Sequence, residues 1–150
     1  MATTITKILL HITYSTKQRE PLIDTSDEGD LYAYIGGICR NLRSPLLDMG
    51  GTADHLNMLV SISKTIALAD LMLNIKRDSS AWMNARPGRT HRFAWQEGYF
   101  AFSIGESGVE DLSRYIARQK AHRKKIDFKD EVRSLLTKYK MSWNEEHMWD

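Results

Sequence analysis

The segment from His55 to Ile62 constrains the fold most. Leu56, Met58, Val60 and Ile62 alternate there with His55, Asn57, Leu59 and Ser61. A period of two places the first set on one face of a β-strand and the second set on the other. The apolar face needs a cover, and the next segment provides it. From Thr65 to Met83, the residues Leu68, Leu71, Met72, Ile75, Ser79 and Trp82 recur at helical spacing. They form one stripe of an amphipathic helix. A strand followed by a helix that covers it belongs to a layered α+β architecture. The opposite strand face begins with two polar side chains, His55 and Asn57.

The rest of the chain extends this pattern. Residues 5–15 are rich in Ile, Leu, Thr and Tyr and read as a first strand. Residues 17–30 are polar, carry Pro21 and Gly29, and read mostly as loop. Leu31, Tyr34, Ile35, Ile38 and Leu42 predict a helix over 31–42, which Pro45 ends. A second strand is expected over 46–49, with a turn at Gly50-Gly51. Tyr99 to Ile104 reads as a fourth strand. The run Ser107-Gly-Val-Glu110 has the form of a capping box that opens a helix reaching about Lys125. A last helix is expected over 128–139, with Val132, Leu135 and Leu136 inward. The order β-α-β-β-α-β followed by helices predicts a four-stranded antiparallel sheet with two helices on one face. The trailing helices or a partner subunit must then cover part of the other face.

Length and composition exclude more than they assign. A chain of 150 residues is expected to form one domain over 1–150. The formal charge of +2 does not by itself imply nucleic acid, but it allows a local basic face. Cys39 is the sole cysteine, so no internal disulfide framework exists, and a cytoplasmic location fits. No apolar run approaches a membrane span, and Ile8 to Ile12 is too short for a signal peptide. No P-loop, dinucleotide fingerprint, CxxC pair, HExxH or two-metal acidic cluster is present.

Three groups of residues can carry chemistry. Tyr115, Gln119 and His122 fall at i, i+4 and i+7 and share a helix face. Around them stand Arg114, Arg118, Lys120, Arg123, Lys124 and Lys125, with no acid between Arg114 and Lys125. That surface either attracts phosphates or is a solvated helix end whose cations suit the helix dipole. Tyr115 is either a packed aromatic or a nucleophile toward a phosphodiester. A phenol with an ordinary pKa of about 10 needs activation for that role. His55 and Asn57 share a strand face and offer an imidazole nitrogen and an amide oxygen to a divalent cation, with Gln119 as a third donor. Such a neutral set binds Mg²⁺ or Mn²⁺ weakly without phosphate oxygens; the alternative is a purely structural role. The loop from Asn84 to His91 is basic and turns at Pro87-Gly88. Arg86, Arg89, His91 and Arg92 make this region a second candidate phosphate surface. Trp95 beside it either packs or stacks on a base. His11 reads as a sheet residue with a satisfied ring.

At these residues the sequence resembles the IS200/IS605-type single-tyrosine (Y1) transposases of the HUH nuclease group. Relatives that act on repetitive extragenic palindromes belong to the same group. The resemblance runs through His11 to Lys17, Tyr34 to Asn41, Gly51 to Val60, Leu68 to Leu71, Phe93 to Ser103, Tyr115 to His122, and Trp149-Asp150. It implies a ferredoxin-like fold and a DNA transposase. Such an enzyme cleaves and rejoins single-stranded DNA at hairpin-bearing ends through a 5′-phosphotyrosine intermediate. It implies Tyr115 as nucleophile, and His55 and Gln119 as ligands of Mg²⁺ or Mn²⁺. The basic helix end and loop then offer Arg86, Arg89, His91, Arg92, Arg118, Lys120, His122, Arg123 and Lys124 as DNA contacts, and the resemblance implies a homodimer whose active sites form within one chain or across two. Asn57 departs from the pattern, because it stands where the second histidine of the His-hydrophobic-His motif is expected. An amide oxygen still suits a hard cation, but the change sets a cleavage-impaired hairpin-binding relative beside the active enzyme as an alternative. A non-enzymatic ferredoxin-like interaction domain is the other alternative.

Overall fold

The fold is taken from a computed structural model, which describes residues 2–121 and 127–150. The strands are β1 (Leu9–Ser15), β2 (Leu46–Gly51), β3 (His55–Ser61) and β4 (Phe100–Ile104). The helices are α1 (Thr25–Asn41), α2 (Leu68–Asn84), α3 (Val109–Ala121) and α4 (Phe128–Lys138). The four strands form one antiparallel sheet in the order β2-β3-β1-β4. This is the β-α-β-β-α-β arrangement expected from the sequence, with α3 and α4 following it.

The strand register sorts side chains into two cores. Ile12 and Tyr14 on β1 share a face with Leu56, Met58 and Val60 on β3, and this face packs against Leu31, Ile35 and Cys39 of α1 and Leu71, Met72 and Ile75 of α2. The other face carries Leu9 and Leu59, covered by Leu112 and Ile116 of α3. It also carries Phe102, covered by Phe128, Val132 and Leu136 of α4. Burying a side chain the size of Phe128 contributes roughly 1.5–3 kcal/mol. The trailing helices therefore cover the second sheet face within one chain. They also bury the polar half of β3, where His55 and Asn57 are fully inaccessible.

Several boundaries differ from the sequence reading, each for a local reason. β1 begins at Leu9, where its register with Ser61 of β3 and Ile104 of β4 starts, rather than at residue 5. α1 begins at Thr25, so its first two turns occupy part of the expected loop, with Asp27 and Glu28 favourably placed in the first turn. Gly50 and Gly51 extend β2 instead of turning the chain, and the turn lies at Thr52–Asp54. A Cβ on Gly51 would collide with the His55 carbonyl oxygen and stand 2.9 Å from Leu56 Cα, so only glycine permits this close approach. The expected capping box is replaced by a 3₁₀ turn at Glu106–Gly108 that leads into α3. α4 has a real cap, since the Asp127 carboxylate accepts from the backbone N–H groups of Lys129 and Asp130.

Candidate functional site

The Thr52–Asp54 turn fixes the His55 ring. Thr52 N–H donates to the His55 carbonyl at 2.9 Å, closing the turn. Thr52 Oγ1 donates to Asp54 Oδ1 at 2.8 Å. His55 Nδ1 lies 2.6 Å from the same carboxylate oxygen, to which it donates. With Nδ1 committed to Asp54, the other ring nitrogen, Nε2, points toward Glu131 between the sheet and the trailing helices.

Two residues farther along β3, Asn57 projects from the same face into the same space. Its Oδ1 accepts from His11 Nε2 at 2.6 Å. Its Nδ2 donates to Gln119 Oε1 at 2.8 Å and to Glu131 Oε1 at 2.7 Å. Gln119 Nε2 in turn donates to Glu131 Oε1 at 3.0 Å and reaches the Tyr115 hydroxyl at 3.3 Å. Strand β3, helix α3 and helix α4 thus bring His55, Asn57, Gln119, Tyr115 and Glu131 into one connected polar cluster. Gln119 and Asn57 are fully inaccessible, and Tyr115 is half-buried.

His55 Nε2 and Glu131 Oε2 are the least ordinary atoms in the cluster. They lie 2.8 Å apart, an ion-pair distance. Yet both are buried and neither has an aligned hydrogen-bond partner. The ring nitrogen's direction misses the carboxylate oxygen, so charge attraction holds the pair. Burial opposes charge on His55, but the Asp54 and Glu131 carboxylates outweigh it and raise the imidazole to about 9. Burial likewise opposes charge on Glu131 and Asp54, and in both the His55 contact prevails and lowers the carboxyl. Tyr115 is pushed the other way. Burial, then the Glu131 charge, holds its phenol well above the ordinary range. His11 is lowered by burial, and as a neutral ring it donates through Nε2 to Asn57.

A cleft of about 860 Å³ opens over this cluster, lined among others by His11, Asp111, Tyr115, Arg118, Glu131 and Lys138. Tyr115 is half-buried at this cleft and Glu131 lines it while itself buried, and His55, Asn57 and Gln119 lie beneath them. Among the described residues, no group of three or more His, Cys, Asp or Glu side chains is placed to hold a metal ion. A cation here would need amide, water or phosphate oxygens as well. The buried pair without aligned partners, an imidazole nitrogen beside a carboxylate oxygen, has the donor chemistry of a divalent cation site.

The other sequence candidates are dispersed. Arg86 donates to Asp27 at 2.9 Å and to Asp30 at 3.1 Å, and its guanidinium lies over the Trp82 ring. Arg89 donates to the Leu22 carbonyl at 2.7 Å and to the His91 carbonyl at 3.1 Å. Both arginines are thus occupied in tying their loop to the start of α1. They line a different cleft from Tyr115. His91 and Arg92 are exposed. Trp95 is buried, and its Nε1 donates to Ser79 Oγ at 2.9 Å, so it packs in the α1/α2 core. Arg118 is exposed at the Tyr115 cleft. The side chain of Lys120, and His122, Arg123 and Lys124, lie outside the described residues.

Glu131 is the residue that sequence reasoning missed. A signal was present. Phe128, Glu131, Val132, Leu135 and Leu136 share one helical face, so Glu131 is a carboxylate on an apolar stripe. Such a residue is buried only with partners.

The fold and this cluster define an α+β protein with a buried polar site under a tyrosine-bearing helix. The IS200-like transposase family model matches residues 4–119. The chain belongs to that family. Its fold is similar to a protein from Deinococcus radiodurans described as a candidate transposase, with a TM-score of 0.62 and 17% identity over 79% of this chain and 95% of that one. It is also similar to a REP-associated tyrosine transposase solved with a REP hairpin, with a TM-score of 0.61 and 12% identity over 84% of this chain and 74% of that one. No curated protein matches the chain. Among the described residues, no helix is long and apolar enough to cross a membrane.

Proposed function

We propose that this transposase cleaves and rejoins single-stranded DNA at hairpin-bearing ends, with Tyr115 as the nucleophile. The observation that carries the reading is the Tyr115 hydroxyl, 3.3 Å from Gln119 Nε2, in a cleft that Tyr115 and Glu131 line, with His55 and Asn57 buried beneath them. Tyr115 Oη attacks the scissile phosphorus, the bond from phosphorus to the 3′-oxygen breaks, and the leaving oxygen takes up a proton. The products are a 5′-phosphotyrosine and a free 3′-hydroxyl, and reversal at a new 3′-end rejoins the strand. A bound Mg²⁺ or Mn²⁺ supplies Lewis-acid polarisation of the phosphate. His55 and Gln119 would hold it, with Asn57 as a third donor once its amide oxygen turns away from His11. Because the phenol is held above its ordinary range, its proton must pass to a base during attack. Arg118, Arg92 and His91 are the described side chains proposed to contact backbone phosphates, with Lys120, His122, Arg123 and Lys124 proposed from the sequence. A hairpin is the proposed partner because a relative of this fold was solved with one. The homodimer rests on the family resemblance. Within one chain Asn57 already reaches Gln119, so each protomer can carry its own site.

A labelled single-stranded hairpin substrate, incubated with Mg²⁺ or Mn²⁺, tests the reading. A covalent protein–DNA adduct is expected, and Tyr115→Phe should abolish it. One observation favours a second reading, a hairpin binder with impaired cleavage: Asn57 presents its nitrogen to the site while His11 holds its oxygen. Hairpin binding without an adduct, even in Mn²⁺, would select that reading.

A further inference from the structure

We infer that Glu131 takes the place of the missing second histidine and is a cation ligand of this site, paired with His55. The inference rests on the metal-dependent reading above and adds a residue to it from outside the family match, which ends at 119.

Three observations carry it. First, Asn57 is poorly placed to serve. Its oxygen accepts from His11 at 2.6 Å, and its nitrogen faces Gln119 and Glu131. An amide nitrogen does not bind Mg²⁺ or Mn²⁺, which take oxygen donors and imidazole. Second, Glu131 is buried to a side-chain exposure of 3%, and its Oε2 has no hydrogen-bond partner. Its other oxygen already accepts from Asn57 and Gln119, which fixes the carboxylate plane. Third, Oε2 and His55 Nε2 are 2.8 Å apart and misaligned for a hydrogen bond. Two neighbouring ligands of an octahedral ion, each about 2.1 Å from it, lie about 3 Å from one another. The two atoms form an ion pair in the metal-free protein, and their spacing is also that of one ligand edge, so a cation can take the place of the imidazolium proton between them.

The electrostatics agree with this role. A His, Asn, Gln set is neutral, whereas a carboxylate adds a negative charge opposite a divalent cation. Glu131 also lines the cleft beside Tyr115. A cation held there would sit between the buried donors and an incoming phosphate.

The test is Mn²⁺ binding by the full-length protein, read by electron paramagnetic resonance of free Mn²⁺, with and without a single-stranded hairpin oligonucleotide. Glu131→Gln should weaken Mn²⁺ at least about tenfold. Adding Asn57→His to Glu131→Gln should restore most of the loss, because it returns the missing imidazole. Unchanged Mn²⁺ affinity in Glu131→Gln, or no Mn²⁺ binding by the unaltered protein in either condition, would overturn the inference. Should Glu131→Gln not fold, anomalous scattering from Mn²⁺-soaked crystals of the unaltered protein decides. A peak bonded to Glu131 Oε2 and His55 Nε2 is expected, and a peak that Glu131 does not touch overturns it. Because binding is read apart from cleavage, Glu131-dependent Mn²⁺ without any adduct would sink the nuclease reading and leave this one standing. An adduct with Glu131-independent Mn²⁺ would do the reverse.

Discussion

His11 holds the Asn57 amide oxygen at 2.6 Å, so Asn57 turns its nitrogen, not its oxygen, toward Glu131. One strand neighbour thus decides which end of the amide the site sees. Asn57→His replaces that amide with an imidazole able to face His55 and Gln119. Mn²⁺ affinity is expected to rise about tenfold or more, at a stability cost of about 1–3 kcal/mol for the broken buried hydrogen bonds. Calorimetric titration with Mn²⁺ and a denaturant melt check the two effects separately.

Gly51 sets where β3 begins. Gly51→Ala forces a Cβ against the His55 carbonyl and must displace the strand that carries the imidazole. A loss of about 1–3 kcal/mol in unfolding free energy is expected from overpacking against backbone. Adduct formation on a hairpin substrate should fall further than stability does, because the same shift moves His55 Nε2.

The stability of the metal-free protein should depend on pH through His55. Its folded pKa is raised to about 9, above the ordinary 6.5, so the folded state holds a proton that the unfolded state releases in between. Stability from this group is fully present below about pH 6.5 and is lost as pH rises toward about 9. Glu131 and Asp54 are lowered by the same contact, so their contributions are present above the ordinary carboxylate range and are lost as pH falls through their folded values. Chemical denaturation at several pH values in the presence of a chelator should show the alkaline decline, and His55→Gln should flatten it.

Two arginines that look alike in sequence should behave differently. Arg86 is bound to Asp27 and Asp30, whereas Arg118 is exposed at the Tyr115 cleft. Arg86→Ala should lower stability by roughly 1 kcal/mol, given a partly exposed ion pair, and leave the salt dependence of hairpin binding unchanged. Arg118→Ala should leave stability unchanged and reduce the logarithmic salt slope of binding by about 1. Fluorescence anisotropy across a salt series distinguishes them.

Local pattern by itself determined the element order, the apolar face of β3 and the placing of His55, Asn57, Tyr115 and Gln119 at strand and helix periods. These follow from backbone geometry, which acts within a few residues. Only the tertiary structure decided what covered the second sheet face, where Arg86 and Arg89 spent their charge, and which way the Asn57 amide turned. Each of those depends on a partner far along the chain: Asp27 for Arg86, His11 for Asn57, and Glu131 of α4 for His55. Glu131 shows the boundary between the two. Its place on an apolar stripe marked it as a buried carboxylate, but burial needs partners, and packing α4 against β3 alone brought it to His55.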